Sequence, residues 1–126
     1  MPGGLREILI VERDQPTAEL YQRALSRDYL VFIGIDERAA LDVLATRPIS
    51  AVVLEPALDG GQGWQILAAI REVCGIRSIP IVVCSTLDER RRAMDSGASA
   101  YLTKPALPGV LRDTLRRVIR AAEQSS

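Results

Sequence analysis

The sequence has no histidine, so it lacks the side chain that most often serves as a general base and as a metal ligand. It has two cysteines, Cys74 and Cys84, each in an apolar segment, which favours buried free thiols over a disulfide or a metal pair. Aromatic residues make up 4% of the chain, too few for a platform on which single-stranded nucleic acid could stack. The commonest catalytic and metal-binding arrangements are therefore not expected.

Two further classes of protein are excluded by charge and hydrophobicity. The formal net charge is +0, so there is no basic excess for binding nucleic acid. No apolar run approaches the ~18 residues of a membrane span, and residues 1–7 do not resemble a signal peptide. A hydrophobic content of 48% with 25% charged residues is typical of a folded domain. We expect one soluble cytoplasmic domain over residues 1–126, without nucleic-acid or membrane partners.

Short apolar segments alternate along the chain with segments of helical periodicity. The expected strands are 6–11 (REILIV), 29–35 (YLVFIGI), 49–55 (ISAVVLE), 79–84 (IPIVVC) and 99–103 (SAYLT). The expected helices begin after Asp14 and Asp36 as N-caps, then cover 64–74 with Gly75 as C-cap, 87–96 before Gly97, and a last segment around 110–122. Continuous apolar strands indicate a parallel sheet buried on both faces. The sequence therefore predicts a doubly wound α/β domain of five strands.

Helical spacing also predicts which residues of these helices face the core. The predicted apolar stripes are Leu20, Tyr21, Ala24 and Leu25 in the first helix, Ala40, Leu41 and Leu44 in the second, Leu87, Ala93 and Met94 in the fourth, and Val110, Leu111, Leu115, Val118, Ile119 and Ala122 in the last. The arginine-rich run 89–92 (ERRR) is predicted to be a solvated helix face.

Charged and polar side chains follow four of the five expected strands. They are Glu12 and Arg13, Glu55, Ser85, and Lys104. Because ligand sites of doubly wound sheets lie at the carboxyl ends of the strands, we expect these side chains to share one crevice. The carboxylate of Glu55 is costly to bury without partners, which marks this crevice as the candidate site. The glycines at 60, 61 and 63 lack a following Lys-Ser/Thr pair, so they indicate a tight turn rather than a nucleotide loop.

Four segments together resemble the receiver domain of two-component response regulators. They are ILIVERD (8–14), VVLEPALDGGQGW (52–64), IPIVVCST (79–86) and GASAYLTKP (97–105), and the resemblance covers nearly the whole chain. It implies a flavodoxin-like fold with strand order 2-1-3-4-5 and helices on both faces. It also implies a signalling module rather than an enzyme.

The resemblance further implies roles for the residues at the strand ends. In the family, an aspartate after the third strand accepts a phosphoryl group from a histidine kinase, and an acidic pair after the first strand helps to hold Mg²⁺. Matched position by position, the phosphoacceptor position is Glu55, the acidic-pair positions are Glu12 and Arg13, the phosphoryl-contact positions are Ser85 and Lys104, and the switch aromatic is Tyr101. The Lys104–Pro105 peptide bond is expected to be cis.

This sequence departs from the family at two central positions. Glu55 is one methylene longer than aspartate, and Arg13 replaces an acid that normally touches the metal. Asp59 and Gln62 also stand where the family usually has proline and aspartate. An arginine repels Mg²⁺, and two carboxylates facing Arg13 and Lys104 would be balanced without metal. The hypothesis is that Arg13 replaces the metal, that no cofactor is bound, and that phosphorylation is lost.

Three functions remain open from the sequence. The leading one is a phosphorylation-independent receiver that contacts a histidine kinase, an output protein or a second receiver through its fourth helix, fifth strand and last helix. The alternative is a working phosphoreceiver that uses Glu55 or Asp59 as acceptor. A flavodoxin-like small-molecule domain is the third, although the turn after the first strand lacks phosphate-cradling glycines. Arg13 could instead point to solvent, and Tyr101 could be a half-buried strand residue.

Overall fold

The computed structural model describes residues 4–56, 63–86 and 88–124, and only the backbone of 74–77. The elements in chain order are β1 (Arg6–Val11), α1 (Gln15–Leu25), β2 (Tyr29–Gly34), α2 (Glu37–Thr46), β3 (Ile49–Leu54), α3 (Gly63–Arg77), β4 (Ile81–Ser85), α4 (Arg90–Asp95), β5 (Ala100–Thr103) and α5 (Pro108–Gln124). Strands and helices alternate throughout, as the periodicity predicts.

The strands form a five-stranded sheet in the order β2-β1-β3-β4-β5. Every neighbouring pair is parallel, and Ile8 of β1, for example, lies opposite Val31 of β2 and Ala51 of β3. The predicted fold class and strand order are therefore confirmed. None of the helices in the described part of the chain is long and apolar enough to cross a membrane.

The core has two layers because β1 and β3 are covered on both faces. Ile8 and Ile10 pack on the face covered by α1 and α5, whereas Leu9 and Val11 pack on the face covered by α2, α3 and α4. All four side chains are fully buried. A strand buried on both faces needs an apolar residue at every position, which explains the unbroken apolar runs of the sequence.

Two predicted N-caps are present and fix the direction in which the chain leaves the sheet. Asp14 Oδ2 accepts a hydrogen bond from Thr17 N at 3.1 Å, and Asp36 Oδ1 accepts one from Ala39 N at 2.8 Å. Pro16 lies in the first turn of α1, where its missing N–H costs nothing.

Several predicted element ends are wrong by a few residues. Strand β2 ends at Gly34, β3 ends at Leu54, and β4 begins at Ile81. Helix α3 continues through Gly75 to Arg77, so Gly75 is not its C-cap, and Ser78 adopts the positive φ of 56° just beyond the helix. Helix α4 has only 6 residues, and the predicted core residue Leu87 lies outside the described residues. Gly97, with a φ of 101°, follows α4 as predicted.

Three residues predicted to face the core are exposed instead. Leu20 is 44% exposed, Met94 43% and Val110 46%. In α1 the buried stripe is Ala18, Tyr21 and Leu25, and in α5 it begins at Leu111. The exposed residues lie next to these stripes in sequence, which places them on the sides of their helices.

Candidate functional site

The carboxyl ends of four strands meet at one edge of the sheet, and backbone hydrogen bonds hold them in place. Glu55 N donates to Val11 O at 3.0 Å, and Lys104 N donates to Ser85 O at 2.7 Å. The residues that follow the strands therefore keep the register of the sheet. Glu12, Glu55 and Ser85 are all buried at this edge, so the structure brings together three of the five crevice residues that the sequence predicts.

Lys104 lies between the two buried carboxylates. Its Nζ atom is 2.5 Å from Glu12 Oε1 and 2.7 Å from Glu55 Oε1. The Lys104 side chain is 13% exposed, and those of Glu12 and Glu55 are 5% and 7% exposed. One ammonium group thus forms charge-assisted hydrogen bonds to two carboxylates away from solvent. The Lys104–Pro105 peptide bond is cis, as expected.

The two carboxylates determine the charge state of the lysine. Burial alone would lower the pKa of Lys104, but the hydrogen bonds and negative charges of Glu12 and Glu55 raise it above its ordinary value. Lys104 is therefore an ammonium ion at neutral pH and donates to both acceptors.

Glu12 uses both of its carboxylate oxygens. Oε1 accepts from Lys104, and Oε2 accepts from the backbone N–H of Asp14 at 3.1 Å. Asp14 in turn caps α1 through its bond to Thr17 N. Glu12 consequently joins the ammonium of Lys104 to the start of α1.

Arg13 does not occupy the middle of the site. Its side chain is exposed and borders a cavity on the outer side of β1, beside Gln15 and Ile33, and it makes a contact of its own. The position between the carboxylates belongs to Lys104.

The switch-aromatic position, Tyr101, is buried and linked to the start of α4. The residue is 3% exposed, and its hydroxyl accepts a hydrogen bond from the backbone N–H of Glu89 at 3.1 Å. The guanidinium of Arg90 lies 5.3 Å from the centre of its ring. Tyr101 is thus more buried than a half-exposed strand tyrosine, and it connects β5 to the segment that leads from Ser85 into α4.

The described residues do not fit a Mg²⁺ site. Magnesium requires near-octahedral oxygen ligands at about 2.0–2.1 Å, whereas the two carboxylates of the site are both held by Lys104. Within residues 4–56, 63–86 and 88–124 there is no group of three or more His, Cys, Asp or Glu side chains that could hold a metal. The predicted positions Asp59 and Gln62 and the glycines at 60 and 61 lie outside the described residues.

The first residue of α3 has to be a glycine. A Cβ atom on Gly63 would lie 2.1 Å from the carbonyl oxygen of Pro56, a distance at which the backbone would have to move. This close approach gives a structural reason for the glycine at position 63.

A buried polar contact beneath the site was not predicted. The hydroxyl of Tyr21 lies 3.3 Å from Cys84 Sγ, and both residues are buried. Burial raises the pKa of the Cys84 thiol and that of the Tyr21 hydroxyl, so neither group ionises at neutral pH. Cys84 is a buried free thiol as predicted, whereas the side chain of Cys74 is outside the description. The partners are 63 residues apart, and nothing in the local sequence pattern joins them.

Comparison with known proteins agrees with this geometry. The family model for the response regulator receiver domain matches residues 8–116. The chain is 33% identical over 100 residues to the transcriptional regulatory protein HprR of Escherichia coli, covering 79% of this chain and 45% of that protein. It is 32% identical over 117 residues to the response regulator MprA of Mycolicibacterium vanbaalenii, covering 90% and 50%. The chain thus spans about half the length of these relatives.

Solved structures show the same fold at low sequence identity. A CheY-like receiver domain protein from Methanospirillum hungatei has a TM-score of 0.85 at 20% identity, with 98% of this chain and 100% of that chain covered. The chemotaxis protein CheY4 of Vibrio cholerae has a TM-score of 0.82 at 22% identity, with 91% and 99% covered.

Proposed function

This chain belongs to the response regulator receiver family of two-component signalling, and we propose that it works without phosphorylation, through protein–protein contact. The observation that carries the proposal is the altered acceptor position, which holds Glu55 instead of aspartate, with its carboxylate bound to Lys104 Nζ at 2.7 Å. The ammonium of Lys104 thus neutralises the negative charge of Glu12 and Glu55 without a metal ion.

Phosphoryl transfer places several demands on such a site. A carboxylate oxygen must reach the phosphorus atom in line, and cationic groups must neutralise the charge of the transferred group. In this chain one oxygen of Glu55 is bound to Lys104, and both oxygens of Glu12 are engaged. Recruiting Mg²⁺ would require Glu12 to give up hydrogen bonds that also support α1. These contacts favour a site that takes up neither Mg²⁺ nor a phosphoryl group.

The direct test is treatment with acetyl phosphate in the presence of Mg²⁺, followed by intact-mass measurement. We expect no mass gain in the parent protein. A gain of one phosphoryl group would contradict the proposal and support a working phosphoreceiver. The acceptor would then be identified with Glu55→Gln and Asp59→Asn, because only the variant that lacks the acceptor would lose the modification.

The same proposal predicts that the site takes no Mg²⁺ at millimolar concentration. Calorimetric titration of the parent protein should give no one-site isotherm, because a divalent cation would be repelled by Lys104 and would find Glu12 already bonded. A sub-millimolar one-site isotherm that disappears in Glu12→Gln would contradict this expectation.

We further propose that the contact surface is the face of α4, β5 and α5. Large apolar side chains are exposed along it, with Met94 43%, Leu107 68% and Val110 46% exposed. Relatives of the chain include proteins named as transcriptional regulators and a hybrid signal transduction protein of Dictyostelium discoideum, so the partner classes are a histidine kinase, an output protein or a second receiver. Val110→Glu should weaken any self-association measured by light scattering, whereas Leu20→Glu on α1 should not.

A further inference from the structure

A cavity of about 610 Å³ lies beside the site, between α1 and the end of β2. It is on the outer side of β1, away from Glu55, and its wall on the α1 side runs from Gln15 to Gln22 along one stripe of the helix. Cavities of about 300–1,000 Å³ are the usual size of small-molecule sites. Neither the proposed phosphorylation-independent function nor the family fold requires this space.

Three of the residues that line the cavity are aliphatic. They are Ala18 of α1, Ile33 of β2, and Ile35 just after β2. Ile35 is 58% exposed. A ligand with an aliphatic group would remove this apolar surface from water, which is favourable.

The residues that line the cavity carry charges of both signs. Arg13 is the cation, and Glu12, Glu19 and Asp36 are the carboxylates. One oxygen of Asp36 accepts from Ala39 N, so Asp36 is fixed in place by its role as N-cap of α2. The cavity therefore combines one guanidinium, three carboxylates and three aliphatic side chains.

We propose that this cavity binds a free α-amino acid with an aliphatic side chain. The ligand carboxylate would bind Arg13, its ammonium would bind Glu19 or Asp36, and its side chain would cover Ile33 and Ile35. A guanidinium has five N–H donors, so Arg13 binds a carboxylate while it keeps the contact that it already makes. A simple amine would leave Arg13 unused, and a simple carboxylic acid would leave Glu19 unused.

The cavity and the site share Glu12. This residue lines the cavity, and its two oxygens bind Lys104 Nζ and Asp14 N. A ligand that contacts Glu12 and Arg13 would therefore disturb the hydrogen bond between Glu12 and Lys104. This coupling, which rests on the proposed function, would make the amino acid an input that replaces phosphoryl transfer.

The binding test is calorimetry with L-leucine on the parent protein, with 3-methylbutylamine and 4-methylpentanoate as probes that each lack one charged group. We expect L-leucine to bind with a Kd of about 1 mM or below, as its small size allows, and the two single-charge probes to bind at least about tenfold more weakly, because each loses a charged hydrogen bond. Absence of saturation by about 20 mM L-leucine, or equal binding of either probe, would overturn the proposal.

Matched variants separate the cavity from general charge effects. Arg13→Gln and Glu19→Gln should each weaken L-leucine binding at least about tenfold. Arg23→Gln on α1 and Glu72→Gln on α3 make the same chemical changes at exposed positions outside the cavity, and they should leave the affinity within about twofold. An unchanged affinity in Arg13→Gln would overturn the assignment.

The coupling has its own measurement. Lys104 is the only lysine in the chain, so selective ¹⁵N labelling of lysine reports one residue. Saturation with L-leucine should shift the Lys104 amide signal in the parent but not in Arg13→Gln. Binding of L-leucine without a shift of the Lys104 signal would contradict the coupling but would still support the binding site. Phosphorylation of the protein by acetyl phosphate would refute the proposed function and leave the binding result intact.

Discussion

Lys104 reaches Glu55 across the end of an intervening strand. Lys104 follows β5 and Glu55 follows β3, with β4 between them, and Lys104 Nζ nevertheless lies 2.7 Å from Glu55 Oε1. Lys104 Nζ also lies 2.5 Å from Oε1 of Glu12, the residue that follows β1. Since neighbouring strands are about 4.8 Å apart, only a long side chain spans this distance. One ammonium group thus connects the ends of β1, β3 and β5.

The first prediction concerns the strength of the Lys104–Glu55 pair. Lys104→Met should lower the free energy of unfolding by about 3–5 kcal/mol, because it leaves two buried carboxylates without their cation. A double-mutant cycle of Lys104→Met with Glu55→Gln should give a coupling above about 1 kcal/mol. Urea denaturation at pH 7 provides the measurement.

The matched comparison for that cycle is Arg13→Met with Glu55→Gln. Arg13 is exposed, so its coupling to Glu55 should remain below about 0.5 kcal/mol. A larger coupling for Arg13 than for Lys104 would show that Arg13 supplies the cation of the site after all.

A second prediction follows from the raised pKa of Lys104. Because Glu12 and Glu55 raise this pKa in the folded state despite burial, the stabilisation by Lys104 is complete below the unfolded pKa, about 10.4. It is lost as the pH rises through the higher folded pKa. The difference in unfolding free energy between the parent and Lys104→Met should therefore stay constant from about pH 7 to 9 and shrink above about pH 10.4. A difference in unfolding free energy that grows as the pH rises would contradict the expected direction of the pH dependence.

The third prediction is that phosphorylation returns only when both departures from the family are reversed. Glu55→Asp alone leaves Arg13 in place of the acid that the family uses to bind the metal. Arg13→Asp alone keeps an acceptor whose oxygen is displaced by on the order of 1 Å, enough to cost ~10²-fold in rate. The double variant should take phosphate from acetyl phosphate in a Mg²⁺-dependent way, as measured by intact mass.

Stability offers a second readout of that double variant. Without metal it places three carboxylates around Lys104 and should be less stable than the parent; Mg²⁺ should recover part of the loss. A double variant that folds but remains inert to both Mg²⁺ and acetyl phosphate would show that other residues also disable the site.

The fourth prediction concerns how α4 is held. The guanidinium of Arg92 lies 4.2 Å from the centre of the Trp64 ring, and Arg92 Nη1 is 3.6 Å from Glu89 Oε2. Arg92→Met should cost about 0.5–1 kcal/mol and should shift the emission of Trp64, the only tryptophan. Arg91→Met is the matched control, since the Arg91 side chain is 96% exposed. Equal effects of the two variants would exclude a specific contact.

Helix α4 also shows a limit of pattern analysis. The run Glu89–Arg92 reads as a solvated helix face, and its three arginines are indeed exposed. Two of them nonetheless lie over aromatic rings, Arg90 over Tyr101 and Arg92 over Trp64. Such contacts depend on the packing of α4 against β5 and α3, and helical periodicity does not contain that information.

The sequence by itself determined the sheet and the edge at which the site lies. Short apolar runs that alternate with helical segments indicate strands buried on both faces, and the caps Asp14 and Asp36 mark where the chain turns into helices, because these effects act within a few residues. Because the strands are parallel, their carboxyl ends lie at one edge of the sheet, and this brings the backbones of Glu12, Glu55, Ser85 and Lys104 together. The directions of the side chains play no part in this placement. These features were predicted correctly because local chemistry and strand direction suffice for them.

Only the tertiary structure decided which cation serves which carboxylate. The sequence supplies Arg13 and Lys104 beside Glu12 and Glu55, and charge counting treats the two cations alike. The sheet order places Lys104 so that its ammonium reaches both carboxylates, whereas Arg13 leaves β1 toward the exposed side. An ion pair depends on the direction of side chains from strands far apart in sequence, and that direction exists only once the sheet has formed.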